Sequence, residues 1–231
     1  MGKHHADILD RHRSLLRDVP GARRVTSQKA LDRLRDSLGL DFINSIATPL
    51  DAPVDTIADG DGLVRWLAQA KLVPPDVLGE LKARAAPGEL DKVAEQARAL
   101  REWFRGFVRK HMGRPLTPQA LAELEPLHRV LARDETFSQV VAISHRGHDG
   151  FALEQRRRWG SAESLLLPIG EAMAKVVCEE SFADIRACEG HACTLVFADH
   201  TRARARRWCS MAICGNRAKQ AAHRSRIKQR G

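Results

Sequence analysis

Residues 188–193 read Cys188-Glu189-Gly190-His191-Ala192-Cys193, and residues 209–214 read Cys209-Ser210-Met211-Ala212-Ile213-Cys214. The two pairs share one spacing and lie fifteen residues apart. They account for four of the five cysteines in the 231-residue chain. Where disulfides are disfavoured, paired cysteines point to metal or redox chemistry. Two close pairs at this separation can offer four thiolates to one tetrahedral Zn²⁺, and four protein ligands leave no position for water. The expectation is one structural zinc on Cys188, Cys193, Cys209 and Cys214. His191 and His200 are alternative ligands, for which the four thiols leave no room. Gly190 and Gly215 are expected to help the backbone turn around the metal. The fifth, Cys178, sits on the preceding apolar segment and is expected in the core. A segment this small cannot bury a core of its own, so metal binding would supply about 10 kcal/mol of its folding free energy.

The charge around these pairs is lopsided. The net charge is +9, and residues 186–231 hold eleven bases against only Glu189 and Asp199. The remainder is balanced, so the excess charge sits in the last 46 residues. A neutral body with a basic end suits a module that binds a polyanion. Between the pairs, Thr194-Leu195-Val196-Phe197 reads as a strand. Arg202, Arg204 and Arg206 alternate in what reads as a second, giving a hairpin with one basic face. After Cys214, Asn216 can cap a helix. On that helix Arg217, Arg224 and Lys228 fall on one side, and Lys219, Arg226 and Arg230 on the opposite side. Almost no apolar face is left. A helix charged on both flanks can lie in a nucleic-acid groove between two rows of phosphates.

Upstream, the pattern is helical. Residues 1–22 end in Pro20-Gly21 and are expected to form an arm. Leu31, Leu34, Leu38 and Phe42 form a helical stripe. A loop follows, then a helix with Asp61 as N-cap, a short helix capped by Asp76, and a long amphipathic helix over 88–112. Thr117-Pro118 opens another helix. Residues 134–160 read as a β-hairpin, and 161–182 return to helix. The expected fold class is a mainly α N-terminal domain with a small β-hairpin, followed by a small four-cysteine zinc finger made of a β-hairpin and a C-terminal helix. The expected domains are the arm at 1–22, the α-rich body at 23–182 and the finger at 183–231. No run of about 18 apolar residues, the length that crosses a membrane, occurs. The charged N-terminus lacks the apolar core of a signal peptide, so the expected location is cytoplasmic.

The stretch Arg206-Arg207-Trp208-Cys209-Ser210-Met211-Ala212-Ile213-Cys214-Gly215-Asn216-Arg217-Ala218-Lys219 closely resembles the signature of the CGNR zinc-finger family. Cys188-x4-Cys193 followed by Leu195-Val196-Phe197-Ala198-Asp199 fits the same family, with Thr194 where Gly is common. Leu38-Gly39-Leu40-Asp41-Phe42-Ile43-Asn44-Ser45 resembles the stretch that opens the ABATE domain, with Ser45 in place of the usual Thr. Leu63 to Leu67 and Leu100-Arg101-Glu102 match weaker positions. The resemblance spans roughly residues 25–227. It implies a bacterial, stress-linked transcription regulator whose finger binds DNA.

The functional expectation is thus a zinc-dependent DNA-binding regulator whose α-rich body senses a signal or forms a homodimer, with the effector and any ligand-binding residues unknown. Arg202, Arg204, Arg206 and Arg207 would contact phosphate from the finger, and Arg217, Lys219, Arg224 and Arg226 from the helix. About six neutralised phosphates would give a log–log salt slope near −5. An RNA-binding finger is one alternative. A ligand-binding or enzymatic body with a purely structural finger is another. No phosphate-cradling glycine loop or nucleophile motif occurs, so no enzyme is expected. Asp41 and Asn44 either line a pocket in the body or hydrogen-bond locally, the latter preferred. Trp208 is expected to pack over the metal loop rather than stack on a base.

Overall fold

The computed structural model describes residues 37–47, 54–145 and 148–229, with only the backbone at 144, 145, 148, 149 and 228. The expected arm at 1–22 and the helical stripe before Ser37 lie outside these residues. The chain is mostly helical with small antiparallel strand pairs. It gathers into two compact units. A helical unit takes residues 56–107 and 117–174; a finger unit takes the N-terminal residues to 55, then 108–116 and 175–231.

In the helical unit, α2 (Gly60–Ala70) follows the single described helix of the N-terminal motif, α1 (Leu38–Ile43). The cap of α2 is Asp59, whose carboxylate accepts the Gly62 amide at 2.7 Å. The predicted cap, Asp61, is already inside the helix and meets Lys82 Nζ at 2.7 Å. Helix α3 (Pro75–Arg84) begins at Pro75, which needs no amide partner there, so Pro74 occupies the cap and not Asp76. Helix α4 (Glu89–His111) matches the predicted long helix. Its buried Val93, Ala94, Ala97, Leu100, Phe104 and Phe107 recur every three or four residues and form one stripe. Gly60 lets α2 meet this helix closely: a Cβ there would fall 2.5 Å from Leu90 Cβ and 2.7 Å from the Leu90 carbonyl carbon.

Thr117 precedes a 3-10 turn (Pro118–Leu124) and α5 (Glu125–Leu131). The predicted hairpin is β3 (Thr136–His145) against β4 (His148–Arg157), with Thr136 opposite Arg157 and His145 opposite His148. Arg157 anchors its base, giving Nε and Nη2 to the two Asp134 oxygens at 2.6 Å each and Nη2 to Glu171 Oε2 at 2.9 Å. Helix α6 (Leu167–Glu179) buries Leu167, Ile169, Ala172, Met173 and Val176. Cys178 stands about 200° round from Val176. It is exposed, which corrects the expectation of a core thiol.

The finger unit contains α1, the short pair β1 (Ile46–Ala47) and β2 (Val54–Asp55), and the pair β5 (Ile185–Ala187) and β6 (Val196–Ala198). It ends in a π turn (Met211–Gly215) that runs straight into α7 (Asn216–Lys228). A finger hairpin is therefore present, but its strands differ from the predicted ones. Val196 to Ala198 pairs upstream with Ile185 to Ala187, and residues 201–207 form a turn and extended chain outside any strand.

Candidate metal centre

The β5–β6 hairpin brings the first cysteine pair to its closed end. Cys188 follows β5, and its amide donates to Leu195 O at 2.9 Å, extending the ladder by one rung. The loop tightens through Cys193 N to Gly190 O at 3.0 Å, with Ala192 in the left-handed region at φ 59°. Gly190 itself has no positive φ among the described residues. Its place is set by closeness: a Cβ there would lie 2.9 Å from Cys214 Sγ and 3.3 Å from Cys193 Cβ. Glu189 N then donates to Arg207 O at 2.9 Å, which lays the second cysteine segment beside the first. The π turn, closed by Gly215 N to Ser210 O at 3.0 Å, points Cys209 and Cys214 back at the hairpin.

The four sulfurs of Cys188, Cys193, Cys209 and Cys214 all lie within 4.8 Å of one another. Cys193 to Cys209 is 3.9 Å and Cys209 to Cys214 is 3.6 Å. A tetrahedral zinc with Zn–S bonds of about 2.3 Å separates its sulfurs by about 3.8 Å, so the set fits one ion. Neither histidine joins it: His191 is exposed, and His200 pairs with Glu180 Oε2 at 2.8 Å.

Four thiols this close cannot all ionise without a cation among them. Contacts from Cys193, Cys209 and Cys214 hold the Cys188 thiol far below its ordinary range. The Cys193 and Cys209 thiols are pushed well up, in each case chiefly by Cys188. Cys214 falls to about 6: Cys188 pushes it up, but Cys193, Cys209 and the Arg217 guanidinium outweigh that push. A dication would bring all four down together. Donors already face the sulfurs. The Gly190 and Cys209 amides reach Cys188 Sγ at 3.4 and 3.3 Å, and Arg217 Nη2 reaches Cys214 Sγ at 3.3 Å. Such contacts offset the surplus negative charge of a tetrathiolate site. Phe197 is buried with the thiols, and Leu195, Trp208 and Ile213 pack against them.

The eight predicted phosphate contacts divide into two groups. Arg206 lies over the Phe197 ring at 4.3 Å and donates through Nε to Trp208 O at 3.0 Å and through Nη2 to Cys209 O. Arg204 donates to Asp199 O and approaches Asp184 at 3.6 Å. Arg207 pairs with Glu189 at 2.6 Å and lies over the Trp208 ring, and Arg217 turns to Cys214. Arg202, Lys219, Arg224 and Arg226 are exposed and make no hydrogen bond or ion pair among the described residues. From Lys219 to Ile227 every residue of α7 is exposed. Asn216 is the first residue of that helix rather than its cap, and its Nδ2 donates to Ala212 O at 3.2 Å.

Two supporting residues carry more than their sequence context announced. Buried Asp199 organises the turn after β6: Oδ1 accepts the Thr201 amide and hydroxyl at 2.9 and 2.6 Å, and Oδ2 accepts the Arg206 amide at 2.8 Å. Burial pushes its carboxyl up, but those donors and the Arg206 charge hold it below the usual carboxylate value. Asn44, just past α1, clamps Val196: Nδ2 donates to Val196 O at 2.8 Å, and Oδ1 accepts the Val196 amide at 3.0 Å. These hydrogen bonds are long-range, which corrects the expectation of local ones. Spacing could not reveal them, because the partners lie 152 residues apart.

Residues 36–180 match the ABATE family, described as "Putative stress-induced transcription regulator", and residues 185–227 match the CGNR zinc finger. No curated protein matches the chain. The finger match and the clustered sulfurs agree on one structural zinc. No helix among the described residues is long and apolar enough to cross a membrane.

Proposed function

On the premise that the chain belongs to the ABATE family and carries a CGNR zinc finger at its C-terminal end, we propose that it is a zinc-dependent regulator that binds duplex DNA through that finger. The observation that supports this reading most is α7. It leaves the thiol cluster without a linker, stands exposed over Lys219 to Ile227, and carries bases on both flanks. No acidic residue occurs from His200 to Gly231. A helix about 20 Å long with this charge suits a groove, where it can neutralise both phosphate rows.

Within the expected contact set, Arg202, Lys219, Arg224 and Arg226 are the primary phosphate contacts. Arg204, Arg206, Arg207 and Arg217 serve first to shape the finger. The zinc ligands are Cys188, Cys193, Cys209 and Cys214; the zinc is structural, because four thiolates complete its shell. The domain reading keeps the body at 23–182, as a sensor, and the finger at 183–231. The protein acts in the cytoplasm and has no catalytic role. Fluorescence anisotropy with random-sequence duplex tests the central claim. The zinc-loaded protein binds with a log–log salt slope between about −4 and −5, and the chelated protein does not bind. Structured RNA that outcompetes duplex DNA would overturn the assignment in favour of an RNA-binding finger.

A further inference from the structure

The β3–β4 ribbon belongs to the helical unit and carries a signal of its own. Its base is charged and anchored, with Arg157 on Asp134 and Glu171, Arg158 over the Phe137 ring at 4.9 Å, and Arg156 on Glu154 at 3.2 Å. Its middle is different. Residues 140–143 read Val-Val-Ala-Ile and residues 150–153 read Gly-Phe-Ala-Leu, without a charge among them. Val140 is 65% exposed, Ile143 44%, Phe151 80% and Leu153 71%. The sheet has two strands, so each strand keeps one edge without a partner among the described residues. A two-stranded ribbon is marginal in water by itself, and open apolar edges invite pairing.

We propose that this ribbon is a homodimerisation surface, occupied by the ribbon of a second copy. Val140 lies opposite Leu153 and Ala142 opposite Phe151, so these four share one face. A second copy turned over by a two-fold axis sets the large Phe151 of one ribbon against the smaller side chains of the other. The exposed apolar residues of this face, Val140, Ala142, Phe151 and Leu153, present on the order of 450 Å², the size of the largest apolar patch an ordinary soluble monomer shows. Two copies cover roughly 900 Å² of it before the neighbouring polar side chains are counted, which approaches the area of about 1,000 Å² that a specific interface requires. Residues 140–143 and 150–153 offer no charge with which to hold an acidic or basic partner, and a second copy needs none.

Sedimentation velocity on the full-length zinc-loaded protein, from about 1 to 100 µM, tests the proposal. The expected result is a dimer at the upper concentrations that dissociates on dilution. Val140→Lys, and separately the double variant Phe151→Ser with Leu153→Ser, weaken association at least tenfold while zinc content and far-ultraviolet circular dichroism stay those of the parent. Amides of residues 140–143 exchange more slowly at high protein concentration than at low. A wild-type protein that stays monomeric at 100 µM, or variants that associate as tightly as the parent, would overturn it. So would a monomer that begins to associate only when residues 1–36 are removed, because that segment would then be the occupant.

Discussion

At the scale of single residues, the metal centre depends on groups that never touch the metal. Gly190 has room for a hydrogen and little more, with Cys214 Sγ 2.9 Å and Cys214 Cβ 3.0 Å from where a Cβ would stand. Neither neighbour can retreat without leaving the tetrahedron. Gly190→Ala is therefore expected to release zinc to a chromogenic chelator at least ten times faster than the parent. Gly215→Ala provides the contrast: its nearest neighbour is the Met211 thioether sulfur, at 2.7 Å, which can swing aside, so zinc is retained. Asn44→Ala removes both hydrogen bonds to Val196 and is expected to destabilise the finger unit by about 1–3 kcal/mol, read as faster exchange of the Val196 amide. Asp199→Asn places an amide donor among three donors and costs a similar amount. The folded Asp199 carboxyl titrates below its ordinary value of 3.8, so its contribution is complete above that value and is lost as pH falls through the lower, folded one. The stability difference between parent and variant should be flat from pH 8 to about 5 and shrink only below about 4. The cysteines were legible because ligand spacing is local. Asn44 was not, because a side-chain clamp on a distant strand edge leaves no pattern in the chain.

At the scale of elements, long periodic segments were legible and short irregular ones were not. Helix α4 and the β3–β4 hairpin lie where hydrophobic spacing put them, since period and face are set by burial. Residues 202–206 misled because Arg-Ala-Arg-Ala-Arg has the period of a strand. What decided against a strand is Asp199, whose carboxylate takes the Thr201 and Arg206 amides, together with Arg204 at φ 48°. A side-chain acceptor that claims two backbone donors replaces the ladder they would have joined. This changes what the arginines can do: Arg204 and Arg206 are committed to carbonyl oxygens of the finger itself. Under the proposed function, nucleic-acid binding would then rest mainly on α7. Arg224→Ala with Arg226→Ala is expected to reduce the salt slope by about 2 and weaken binding evenly across sequences, with zinc content unchanged. Arg217→Ala should behave differently, raising the zinc-release rate, because its guanidinium supports Cys214.

At the scale of the molecule, the two units derive their stability from different sources. The helical unit buries Leu63, Leu67, Ala97, Phe104, Leu127, Leu165, Ile169 and Met173 almost completely, an apolar core that owes nothing to a metal. In the region matched by the finger, the central cluster is Phe197 with three of the four thiols, so its apolar interior is small and its cohesion rests on the zinc. The tryptophans divide the same way: Trp66, Trp103 and Trp159 belong to the helical unit, and Trp208 alone belongs to the finger unit. Trp208 packs against the thiol cluster, so its emission should report on the metal centre. Chelation is expected to change the fluorescence of the parent and to unfold the finger cooperatively, while most of the helical circular dichroism survives. In Trp208→Phe the same chelation should leave fluorescence unaltered, because the three remaining tryptophans lie in the unit that does not need zinc. A fluorescence change in that variant of the same size as in the parent would mean that zinc stabilises the helical core as well. The metal would then be a condition of the whole fold rather than of the finger alone.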